Sequence, residues 1–181
     1  MAAMAARLVH ACGMPDIVGD LAFSDHAVDA GRAALAAGAP VLVDAQMVAH
    51  GIVRARLPAA NAVICTLNRA PVRGQAKRLG ITRSAAAVAL WRPHLDGAVI
   101  AIGNAPTALF RLLELIAEGA PRPALILGFP VGFVGAAEAK AALAAETGIA
   151  FATLLGRRGG SALAAAAVNA LAGEAGAEAA P

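Results

Sequence analysis

The stretch Ala98-Val99-Ile100-Ala101-Ile102-Gly103-Asn104-Ala105-Pro106-Thr107, continued by Ala108 to Glu118, decides the fold. Ala98–Ile102 is a continuous apolar run of strand length, and it passes straight into a Gly/Asn/Pro turn. The helix that follows, Thr107–Glu118, carries Leu109, Leu112, Leu113 and Ile116 on one face. Pro106 stands near its first turn, where a missing N–H costs nothing. A strand that is apolar at every position and is followed by a helix is a strand buried on both faces of a parallel sheet.

The same unit repeats outward in both directions. Strands are expected at Val41–Ala45, Ala62–Leu67, Ala98–Ile102, Ala124–Gly128 and Ile149–Leu155. Helices are expected at Ala2–Cys12, closed by Gly13, and at Asp25–Ala37, capped by Ser24 and closed by Gly38. Further helices are Ile81–Trp91, Ala136–Glu146 and Ser161–Ala172. The fold class is therefore α/β: a five-stranded, mostly parallel sheet with helices on both faces. With no internal repeat and no linker, residues 1–172 make one domain. The small, polar residues 173–181 are expected to form a disordered tail.

Composition excludes several classes. The chain has 181 residues, of which 59% are hydrophobic, and its mean hydropathy is +0.68. Much of that is alanine, and no apolar run reaches the roughly 20 residues of a membrane span. A net charge of +3, no tyrosine and 3% aromatic residues leave no nucleic-acid footprint. Cys12 and Cys65 lack a CxxC spacing, so neither a disulfide framework nor a zinc motif is expected. A reduced, cytoplasmic protein is the simplest reading. The cations are almost all arginine, with Lys77 and Lys140 the only lysines. Arginine suits bidentate recognition of carboxylates, although a compositional bias toward Ala, Gly and Arg accounts for most of them.

In such a sheet the ligand crevice lies at the carboxyl ends of the strands. The turn Gly103–Thr107 fits an anion held on free N–H groups or a tight turn capped by Asn104, with about equal weight. Gly128–Gly135, with Phe129 and Phe133, suits a flat apolar ligand, but it is not a dinucleotide fingerprint. Gly156–Ser161 fits an anion loop or a solvated basic turn, and lacks the lysine of a P-loop. Asp44 fits an acid/base group or a cap, and His50 a structural role. Arg7 and His10, three apart on the first helix, share a face. Histidine moves protons near neutral pH, but a lone histidine on an apolar helix is more often structural, and the pair raises the functional reading only modestly.

Five stretches resemble the precorrin-8X methylmutase family, in its order. They are Leu8–Gly13, Asp44–Gly51, Thr82–Ala86, Ala101–Leu109 and Gly128–Glu138. The resemblance implies a flavodoxin-like three-layer fold and a homodimer with sites near the subunit interface. It implies a methyl shift from C-11 to C-12 of precorrin-8X, giving hydrogenobyrinic acid for cobalamin synthesis, with no redox cofactor and no metal. His10 matches the family's proton donor and Arg7 its substrate-binding arginine. Arg83, Asn104 and Thr107 lie in matching motifs and are expected ligand contacts. Family members carry some tens of residues ahead of the His10 helix, including a serine that binds substrate, and that segment is expected to be missing from this chain. The alternatives are a corrinoid-binding protein without turnover and a flavodoxin-like nucleotide module. The loops offer no tyrosine or tryptophan to stack on a nucleotide ring, which disfavours the module.

Overall fold

A computed structural model describes residues 1–173. The strands are β1 (Leu21–Phe23), β2 (Val41–Val43), β3 (Val63–Cys65), β4 (Val99–Ile102), β5 (Leu125–Gly128) and β6 (Phe151–Leu154). The helices are α1 (Ala2–Cys12), α2 (Ala27–Ala36), α3 (Gln46–Gly51), α4 (Ala70–Leu79), α5 (Arg83–Ala89), α6 (Pro106–Ala117), α7 (Ala136–Ala145) and α8 (Ser161–Leu171). The sheet order is β1-β6-β5-β4-β2-β3. Only β1 runs antiparallel, against β6. The five parallel strands therefore follow the flavodoxin-like order, whose direction of winding reverses between β2 and β4.

Period two explains why these strands read as unbroken apolar runs. Val41, Val43, Val99, Ala101, Leu125, Leu127, Ala152 and Leu154 point to one face, into a core shared with α1, α2, α3 and α8. Leu42, Ile100, Ile102, Ile126 and Phe151 point to the other, against α5, α6 and α7. Each fully buried Leu, Ile or Val contributes about 1.5–3 kcal/mol, so two-sided burial outweighs the shortness of the strands. A third, small cluster of Val72, Ala76, Ala86 and Ala87 joins α4 to α5. No described helix is long and apolar enough to cross a membrane.

Three details differ from the sequence expectation. The sheet has six strands rather than five. β1 has three residues, all half-buried on an antiparallel edge, so it lacks the apolar run that marks the others. Helix α4 was not expected, because it buries only Val72 and Ala76 and its apolar stripe is correspondingly thin. Ser24 does not cap α2. His26, at φ 58°, precedes that helix, while Ser24 Oγ accepts the Phe151 N–H at 2.8 Å, pinning the entry to α2 against β6. Gly13 closes α1 as expected, at φ 69° with its N–H on the Val9 carbonyl. Of the expected tail, only Gly173 lies within the described residues.

The end of β4 presses on the start of α8. A Cβ at Gly103 would stand 2.7 Å from Ser161 Cα and 3.0 Å from the Gly160 carbonyl oxygen. Backbone cannot swing aside as a side chain can, so Gly103→Ala is expected to cost about 1–3 kcal/mol. For a chain of this size each kcal/mol is about 2–4 °C in Tm. Calorimetry on the variant checks it, and an unchanged Tm would mean that the α8 contact is loose.

Candidate active site

The switch between β2 and β4 is filled by a side chain of the protein itself. Asp44 follows β2 and is 2% exposed. Its Oδ1 accepts the Gly103 N–H at 2.9 Å. Its Oδ2 accepts the N–H groups of Asn104 at 2.9 Å and Ala105 at 2.8 Å. Burial pushes the Asp44 carboxyl up from its ordinary value, and the three N–H bonds oppose that push. The donors of the Gly103–Thr107 turn that an anion could have taken are therefore already satisfied, and Asp44 is neither a cap of α3 nor a group open to solvent. Asn104 does not cap α6 either. Ala105 is the residue preceding that helix, and no side chain bonds its first turn.

The neighbouring loops interlock above the sheet. Phe129 N–H donates to the Ile102 carbonyl at 2.7 Å, and Gly160 N–H to the Phe129 carbonyl at 2.8 Å. A Cβ at Gly159 would stand 2.4 Å from the Phe129 carbonyl oxygen, so the α8 approach must be glycine there. Lys140 on α7 is fully buried and donates to the Arg158 carbonyl. Desolvation lowers its pKa to about 8. The Arg158 guanidinium grips Asp16, and Asp20 at 2.6 Å, in the turn after α1. The basic loop Gly156–Ser161 is thus an internal tie rather than a free anion loop. Phe133 and Val134 stay 85% and 90% exposed at the crevice end, with Arg157 over the Phe133 ring at 5.8 Å.

The expected site residues fall into two groups. Thr107 Oγ1 is 2.7 Å from Thr82 Oγ1, and Thr82 caps α5 by accepting the Ala85 N–H. This pair lines a concavity of about 580 Å³ with Ile81, Phe110 and Arg111. Next to Thr82, Arg83 donates to Asn68 Oδ1 at 2.9 Å and to the Leu67 carbonyl at 3.3 Å. Asn104, in the turn before Thr107, is exposed.

Arg7 and His10 lie across the sheet. Ala3 and Arg7 line a cavity of about 180 Å³ with Arg32, Asn169 and Ala170, so α1 runs antiparallel to α8. That direction carries the last turn of α1, and with it His10, toward the carboxyl ends of the strands. His10 is exposed, whereas Arg7 is half-buried beside Arg32. No described hydrogen bond, ion pair or cavity joins the two, or joins either to Arg83, Asn104 or Thr107. His50 is exposed at the end of α3. No three His, Cys, Asp or Glu among the described residues are grouped to hold a metal ion. The sequence marks the Arg158 loop only as an anion loop or a basic turn, and gives Lys140 no role. The available signal was a single lysine inside an alanine-rich helix.

The precorrin-8X methylmutase family model matches residues 1–174. The precorrin-8X methylmutase of Pseudomonas aeruginosa is 66% identical over 172 residues, which are 94% of this chain and 83% of that protein. The cobalt-precorrin-8 methylmutase of Priestia megaterium is 39% identical over 166 residues, 91% of this chain and 73% of that one. The solved precorrin-8X methylmutase of Thermus thermophilus superimposes with a TM-score of 0.86 at 43% identity, covering 94% of this chain and 82% of its own.

Two outcomes are expected here. Asp44→Asn keeps the shape but turns an amide NH2 toward buried N–H donors, so it should lose at least about 1–3 kcal/mol in urea denaturation; an unchanged midpoint would deny Asp44 its structural role. Lys140 has a lower pKa folded than unfolded, so between about 8 and 10.5 the unfolded chain binds more protons and stability rises with pH. The difference in stability between the parent and Lys140→Met, measured at about pH 7 and about pH 9 (about one unit either side of the folded pKa), should therefore shift in favour of the parent as pH rises. A constant difference would place the ammonium in water.

Proposed function

The chain belongs to the precorrin-8X methylmutase family, and from that premise we propose that His10 donates the proton that drives methyl migration, with Arg7, Arg83, Asn104 and Thr107 contacting the substrate. The reaction is an isomerisation: the methyl leaves C-11 of precorrin-8X and bonds to C-12, giving hydrogenobyrinic acid. Membership sets aside the nucleotide-module alternative. A proton placed on a ring nitrogen beside the migrating centre draws electron density from the π-system and lowers the barrier to the shift. Because substrate and product are isomers, that proton is returned, and a histidine can release and recover it near neutral pH. Positioning of a flat polyacid against a rigid loop platform supplies much of the remaining acceleration.

The observation that carries this reading is the direction of α1, which brings an exposed imidazole to the carboxyl end of the sheet. The separation of His10 from Arg83 and Thr107 within one chain supports a homodimer in which two copies complete each site. The exposed Phe133 and Val134 at the same end are of the kind that interfaces cover. Two unpaired cysteines, Cys12 and Cys65, accord with a reducing, cytoplasmic setting.

His10→Ala should retain binding of hydrogenobyrinic acid and lose conversion of precorrin-8X by about 10²–10⁴-fold, followed by the visible spectrum. Turnover at the parental rate would remove His10 from the chemistry.

A further inference from the structure

Two arginines of this fold are neutralised by carboxylates. Arg111 pairs with Glu114 and Glu118 at 2.8 and 2.9 Å, and Arg158 pairs with Asp16 and Asp20. One group is not. Arg69, Arg73 and Arg83 line a basin of about 390 Å³ with Leu67, Asn68 and Ala70, and no carboxylate borders it. Neither Arg69 nor Arg73 makes a side-chain hydrogen bond or ion pair among the described residues. Arg83 is held in place by neutral oxygens only, the Asn68 amide and the Leu67 carbonyl. Three like charges around one concavity repel, and two of them sit at the end of α4 where the helix dipole is already positive and where cations destabilise. The first turn of α4 holds no acidic residue to offset this.

We propose that this basin is a carboxylate subsite, in which Arg69 and Arg73 join Arg83 in gripping acid arms of the polycarboxylated tetrapyrrole. The inference rests on the substrate reading above. Planar guanidinium groups bind carboxylates through paired N–H bonds, and several converging on one hollow suit a ligand with more than one acid arm. The location fits. Leu67 follows β3, and β3 lies beside β2, the strand that leads into Asp44. It stands at the carboxyl end of the sheet, on the side of Thr82 and Thr107. Asn68 orients Arg83 without cancelling its charge, which leaves the guanidinium ready for an anion.

The test uses the full chain and hydrogenobyrinic acid, the coloured product, as probe. Arg69→Gln/Arg73→Gln leaves Arg83 and the core untouched. The double variant should bind about 10-fold or more weakly, with a shallower salt dependence and with kcat at saturating substrate unchanged while KM rises. Arg122→Gln removes a guanidinium bonded only to the Gly148 carbonyl and should bind as the parent does. A corrinoid whose acid arms are all amidated should bind parent and double variant alike. Equal affinity of parent and double variant for the acid probe would overturn the subsite while leaving the substrate reading intact. A parent that binds no hydrogenobyrinic acid would overturn both.

Discussion

Asp44 is the constraint from which the rest of the ligand-facing surface is built. Its two carboxylate oxygens hold three consecutive N–H groups after β4, at 2.8–2.9 Å. Those donors lie where the winding of the sheet reverses, the place at which open α/β sheets ordinarily admit ligands. Leaving them unpaired in a dry setting would cost about 1–3 kcal/mol each. By filling the position with its own side chain, the protein turns a potential anion hole into a rigid shelf. The start of α6, and with it Thr107, is set by that shelf.

Rigidity then passes from loop to loop through main-chain contacts. Phe129 bonds Ile102, Gly160 bonds Phe129, and Gly159 admits no side chain between them. Lys140 and Arg158 extend the chain of contacts to the turn after α1. The turn that follows the His10 helix is therefore coupled to the same shelf as Thr107, although α1 and α6 pack on opposite faces of the sheet. A methyl shift within a bound ring benefits from such fixed positioning.

Charge is distributed to match. The buried Lys140 is tolerated at the cost of a lowered pKa, about 8, because its ammonium organises a loop. Arg111 and Arg158 are spent on internal ion pairs. The arginines around the start of α4 are left unneutralised. In a chain whose composition is generally rich in arginine, this unequal treatment, and not the number of arginines, distinguishes a binding surface from a solvated one.

The sequence by itself determined the layer architecture, the parallel sheet and the order of its main elements. It could do so because burial on both faces makes β2, β4, β5 and β6 apolar at nearly every position, and because Gly13 must lie at the left-handed end of α1. It also singled out Asp44, Asn104, Thr107, Arg83, Arg7 and His10 through motifs that need no contact map. Only the tertiary structure decided what each does locally. β1 pairs at an edge across 130 residues of chain and has no local apolar signature. Ser24 looks like a cap and is instead tied to Phe151. Asp44 meets Gly103 across 59 positions, and Lys140 meets Arg158 across two elements. Helix and strand periods are written in neighbouring residues, whereas the partner of a buried charge is set by the path of the whole chain.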